Sequence, residues 1–164
     1  MKVVADSSPI ISCARAGKLH LIKDVYSNLI IPPAVYREIV IDGLGKPGDN
    51  ELKNSISVWI EVKEPSDKSI VSILSRRFGE GESEAIALAK ELDFYLLIDE
   101  IKAMNEAKRR GINILSTLIM LLEAKKMGLI SSVKSELNEF IASGFRCSAA
   151  LYEEILMLSH EKRK

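Results

Sequence analysis

Of the side chains able to do chemistry, the acids are the best placed. The chain has only two histidines, His20 and His160, and neither lies in a sequence resembling a nucleophile elbow. No Walker-type phosphate loop is present, and no GxGxxG follows the first apolar run, so no nucleotide cofactor is expected. Cys13 and Cys147 lack metal or redox spacing. Asp6 and Asp99 each end an apolar run, KVVA and FYLLI, where a helix is about to begin. Ligands of a parallel sheet bind at the carboxyl ends of its strands. If the two strands are neighbours, these acids lie within ~10 Å of each other. Helix N-capping accounts for either acid alone equally well.

Two glutamates extend the pattern. Glu38 borders the apolar stripe of Val35 and Ile39, although a partly exposed helix-edge Glu would read the same way. Glu84 stands near the start of GESEAIALA, where a carboxylate also suits the helix dipole. Glu80 and Glu82 read as solvated loop acids. Four acids gathered at one sheet edge repel one another and raise each other's pKa. A hard divalent cation, Mg²⁺ or Mn²⁺, relieves that repulsion, and such a site suits phosphodiester hydrolysis. Ser7, Ser8, Ser116 and Thr117 are placed to orient the acids or their waters.

The elements that must position these residues follow from punctuation and periodicity. Apolar runs at residues 3–5, 29–31, 57–62, 94–98 and 112–114 read as strands. Between them lie helical stretches: 7–16, 34–40, 67–77, a strong one at 81–92, and 100–110. Further helices are expected at 117–127, 133–143 and 149–160, and IDGLGKPGDN reads as a loop. Strands alternating with helices predict an α/β sandwich around a parallel sheet.

At 164 residues, with 47% hydrophobic and 28% charged side chains, the chain suits one domain with a real core. Its 23 basic and 23 acidic residues cancel, so nucleic-acid binding must come from a site rather than from bulk charge. No apolar run is long enough for a membrane span, and Asp6 interrupts any signal peptide. A reducing cytoplasm is the expected setting.

The segments VVADSSPIISCARAGKLHLI, IIPPAVYREIV, GEGESEAIALAKEL and FYLLIDEIKAMNEAKRRGINILSTLIMLLEAKKMGLI resemble, in order, a PIN domain. This is the ribonuclease fold of VapC-type toxins, and the likeness is strongest to a prokaryotic subfamily opening with acid-Ser-Ser-Pro. The resemblance implies a three-layer α/β/α sandwich with a five-stranded parallel sheet of order 3-2-1-4-5. A core over residues 1–130 would carry C-terminal helices over 131–160. It further implies an acidic Mg²⁺ or Mn²⁺ site that cleaves RNA, a role in a toxin–antitoxin pair with an antitoxin partner, and a homodimer.

Residue by residue, Asp6, Glu38, Glu84 and Asp99 match the family's catalytic acids. Asp6, Glu84, Asp99 and Glu100 are the expected metal ligands, because Glu100 competes with Asp99 for the fourth place. Ile98-Asp99-Glu100 departs from the usual Thr-x-Asp, and Met104 stands where a related subfamily carries arginine. Arg37, Lys102, Lys108, Arg109 and Arg110 are the candidate RNA-binding cations, with a solvated basic face as the plain alternative. Nine unclustered aromatics offer no stacking platform. The competing reading is a non-catalytic PIN fold that binds RNA or an antitoxin. A receiver-like domain is set aside, because SVWIEVKEP offers only Glu61 and Glu64 where its phosphoacceptor Asp would stand.

Overall fold

The computed structural model describes residues 1–161, so the last three residues of the expected domain lie outside it. The strands β1 (Val3–Ala5), β2 (Leu29–Ile31), β3 (Ile60–Val62), β4 (Tyr95–Leu97) and β5 (Ile114–Leu115) form one sheet of order β3-β2-β1-β4-β5. Every pairing is parallel. The central strand β1 pairs Val3 with Leu29 and Tyr95, and Ala5 with Leu97. Val3, Val4 and Ala5 are all buried, as a strand covered on both faces must be.

Side-chain alternation splits the core into two layers. Val3, Ala5 and Leu97 face a cluster built on α1 (Ser7–Arg15), α2 (Leu19–Tyr26), α8 (Thr117–Lys126) and α9 (Val133–Ala142). Val4, Leu96 and Ile98 face the opposite cluster, on α5 (Lys68–Leu74), α6 (Glu80–Leu92) and α7 (Ile101–Arg109). The remaining helices are α3 (Pro33–Tyr36), α4 (Asp49–Ser55) and α10 (Ala149–Leu158).

Three local differences from the sequence reading have physical causes. The segment IDGLGKPGDN is not all loop, because Gly48, at φ +85°, turns the chain into α4. That helix is supported by the Asp49–Lys53 pair one turn apart. The third strand starts at Ile60 rather than residue 57, since Ser57 adopts φ +65° and the chain turns through Val58. The helix after Pro33 passes at Arg37–Ile41 into a π-helical turn, which carries Glu38.

The end of the described chain is tied back by one carboxylate. Glu161 accepts hydrogen bonds from Lys125 Nζ at 2.7 Å, Ser132 Oγ at 2.8 Å, Val133 N at 2.6 Å and Lys134 N at 2.9 Å. It thereby satisfies the first amides of α9. Burial pushes its pKa up, but the hydrogen bonds from Lys125, Lys134, Ser132 and Val133 outweigh burial and bring it down to about 2. Glu161→Gln is expected to cost on the order of 1–3 kcal/mol in urea denaturation at pH 7. A depressed carboxylate contributes fully above its unfolded value of 4.5 and less as pH falls toward 2. The difference between wild type and variant should therefore shrink across that window.

Candidate active site

Asp6 is the first residue past the central strand. Its amide continues the ladder by donating to Leu97 O at 2.9 Å, and its side chain caps α1. Oδ2 accepts from Ser8 N at 3.4 Å and Ser8 Oγ at 3.3 Å. Oδ1 is buried without any hydrogen-bond partner, and the residue as a whole is 2% exposed. Burial pushes the Asp6 carboxyl up to about 7. The Ser7 and Ser8 amides oppose the rise, and the charges of Glu82 and Glu38 add to it.

Glu38 arrives from the π-helical turn. Its carboxylate lies against the first turn of α6, where a Cβ on Gly81 would come within 2.5 Å of Oε1 and 2.9 Å of Oε2. Only glycine leaves that carboxylate its place. Beside it, Arg37 is tied to Glu80 at 2.7 Å rather than standing free.

Glu82 is the acid that sequence reasoning misplaced. It is not a solvated loop acid: it occupies the first turn of α6, half-buried, and accepts from Gly79 N at 3.2 Å in a capping box. Burial raises its pKa, the Gly79 amide lowers it, and Glu100 and Glu38 raise it further. Glu100 caps α7, accepting from Ala103 N at 2.6 Å. The acids that press electrostatically on one another are thus Asp6, Glu38, Glu82 and Glu100.

Glu84 and Asp99 are each engaged by an amide of another element. Glu84 Oε2 accepts from Ala34 N at 2.9 Å. The α3 helix begins Pro32-Pro33, with no side chain at its start to cap it, so Glu84 caps it from α6. Asp99 accepts from Thr117 N at 2.8 Å and Thr117 Oγ1 at 2.6 Å. Burial raises its pKa and those two bonds lower it. Strand alternation explains why Asp99 and Glu100 part company. Glu100 continues the side of Leu96 and Ile98, while Asp99 continues that of Leu97, where its charge reaches Cys13 and Tyr26.

Ser7, Ser116 and Thr117 are buried beside these groups, and Ser116 Oγ caps α8 through Ile119 N at 3.2 Å. Among the candidate cations, Lys102 and Lys108 are exposed, whereas Arg109 and Arg110 are both paired with Glu106. Among the described residues, no three acidic, histidine or cysteine side chains converge closely enough to hold a metal ion as they stand. The expected ligand set of Asp6, Glu84, Asp99 and Glu100 is therefore not preassembled.

Against known proteins, a family model described as a PIN domain matches residues 2–161. Among solved structures, the fold is similar to a PilT N-terminus domain protein from the hyperthermophilic archaeon Sulfolobus solfataricus P2. That match has 15% identity and a TM-score of 0.46, and covers 90% of this chain and 98% of the other. No curated protein matches the chain.

The state of Asp6 is measurable without any assay of function. Its folded pKa, about 7, lies above its unfolded value of 3.8, so its burial is least costly below pH 4. The cost grows as pH rises from about 4 to about 7 and levels off above it, on the order of 4 kcal/mol at about 1.4 kcal/mol per pH unit. In EDTA, Asp6→Asn is expected to be more stable than wild type at pH 7.5, with the gap closing by pH 4.5 in thermal melts.

Proposed function

The chain belongs to the PIN-domain family, and from that premise we propose that it is a Mg²⁺- or Mn²⁺-dependent endoribonuclease. The PIN domain is typically a nuclease fold, and its members generally use divalent metal ions. The observation that carries the finer reading is Asp6 Oδ1, a buried and unpartnered carboxylate oxygen under pressure from Glu82 and Glu38. Such an atom costs free energy unless something positive meets it. The surrounding donors are all carboxylate oxygens, which fit a hard cation rather than a soft one.

Asp6, Glu82 and Glu100 are the residues that would hold the cation, with Glu38 beside them. In this assignment Glu82 and Glu100 take the ligand places first given to Glu84 and Asp99. When bound, the cation supplies charge neutralisation at the phosphodiester and lowers the pKa of water. The remaining work falls to the chain. Glu38 has no hydrogen-bond partner among the described residues, so it is free to accept a proton from the attacking water. The amide ends of α1 and α7 lie at the same edge, where their dipoles favour an anionic substrate. Glu84 and Asp99 act as positioning residues, fixing α3 and α8 against the acids. A toxin role, an antitoxin partner, a homodimer and a cytoplasmic location belong to the proposal on the strength of the family resemblance.

The reading is tested by incubating purified protein with a mixed single-stranded RNA pool in Mn²⁺, Mg²⁺ or EDTA. Cleavage should require metal, and Asp6→Asn should lose well beyond the 10–100-fold that removing a mere support of a ligand costs. Mn²⁺ should raise the melting temperature of wild type at pH 7.5 but not that of Asp6→Asn. Absence of both cleavage and metal stabilisation would sink the catalytic claim in favour of a binding module. Gly81→Ala is expected to keep or raise stability, because alanine favours the helix and only the end of a flexible side chain must move. Its cleavage rate should nevertheless fall about 10-fold or more, because Glu38 loses its seat.

A further inference from the structure

Acids that hydrolyse a polyanion need cations to hold the strand on either side. An organised cationic cluster lies on α7, toward the end opposite its Glu100 cap, and is built around a single buried carboxylate. Glu106 is 8% exposed. Arg109 Nη2 reaches its Oε2 at 2.6 Å, Arg110 Nε its Oε1 at 2.8 Å, and Arg77 Nη1 its Oε2 at 3.6 Å. Arg109 and Arg110 alone would be an ordinary basic helix end. Arg77 changes the picture, because it comes from a different element, the connection between α5 and α6, and leans over the Phe78 ring at 5.4 Å.

Three guanidiniums on one carboxylate leave a local charge of about +2, and each fork commits only part of its five N–H donors. The Arg77 and Arg109 side chains stay 65% and 62% exposed, so their free donors face outward. The same side of α7 continues toward the acids. Lys102 lies four residues before Glu106 and seven before Arg109, is exposed, and has no partner among the described residues. Lys108 lies about 100° around the helix from Arg109 and about 120° from Lys102. From Lys102 to Arg109 the helix advances ~10 Å, at 1.5 Å per residue.

We propose that the side of α7 from Lys102 to Arg109, roofed by Arg77, binds the phosphates of single-stranded RNA leading to the acids beside Glu100. The proposal rests on the ribonuclease reading, and adds to it a substrate track and one residue, Arg77, that no motif points to.

The test is fluorescence anisotropy with a labelled 12-nucleotide oligouridylate in EDTA, where binding is read without cleavage. Arg77→Gln with Arg109→Gln is expected to weaken binding at least 10-fold. The slope of log affinity against log salt should fall by about 0.7 for each phosphate that is no longer neutralised. Lys102→Gln should reduce both, while Lys108→Gln stays within twofold of wild type. Arg77→Lys with Arg109→Lys keeps Glu106 neutralised, so it guards against loss of fold and should retain the slope.

A double Gln variant that is folded and binds within twofold of wild type overturns the track, as does wild type that fails to bind. If RNA binds through these residues but no metal supports cleavage, the track stands and the ribonuclease reading falls. If wild type cleaves while the folded Gln variant binds as it does, the reverse holds.

Discussion

The burial of Asp6 is the constraint around which the rest of the site is arranged. Its backbone belongs to the sheet, since its amide donates to Leu97 and extends the central pairing by one bond. Its side chain therefore has no freedom to leave, and it is delivered into a space closed by α1, the π-helical turn and α6. A carboxylate placed there without a donor on one oxygen is destabilising in the free protein. The fold tolerates it because β1 is buried on both sides and paired on both edges, so the cost is spread over the best-packed part of the molecule. Sites that store cost in this way are usually sites that use it.

Acids at helix starts serve two ends in this structure, and the difference lies in whether an orphan amide is waiting. Glu84 meets Ala34 N because the residues before it are prolines, which have neither a capping side chain nor an amide proton to give. Asp99 meets the Thr117 amide and hydroxyl. Both carboxylates join elements. Glu38 has no such amide opposite it; it faces the bare backbone of Gly81. A π-helical turn shifts the side chains that follow it, and such turns recur at functional sites. Here the turn carries Glu38 itself.

Much of this was legible in the sequence. The five apolar runs and the helix starts were readable because strands buried on both faces are continuous apolar stretches, and because proline and glycine mark their ends. The proposed ligand set was less legible. GEGESEAI carries three acids in five residues, and its two glycines made Glu82 look like loop. The spacing Gly79-x-x-Glu82 was the available sign that a helix had already begun. That Asp99 and Glu100 face different layers was readable in the sequence too, since residues one apart at a strand end point to opposite layers. Which layer holds the site depends on where α6 and α3 pack, and no local pattern carries that information. The same holds for Arg77, whose partner Glu106 is 29 positions away.

Neutral overall charge does not exclude the proposed RNA binding, because charge here is segregated rather than balanced locally. The acids Asp6, Glu38, Glu82 and Glu100 act electrostatically on one another near the carboxyl edge of the sheet, while Arg77, Arg109 and Arg110 gather over Glu106 farther along α7. An anion approaching the acids alone would be repelled, and one held by the arginines alone would have no reason to advance. In the proposed track, a strand long enough to touch both would gain from the guanidiniums what it needs to bring one phosphate against carboxylates that only a cation can make hospitable. On that account the buried Glu106 is as necessary as the arginines. It draws in a residue from a separate element and sets their spacing, so that their free donors form a surface rather than three independent arms.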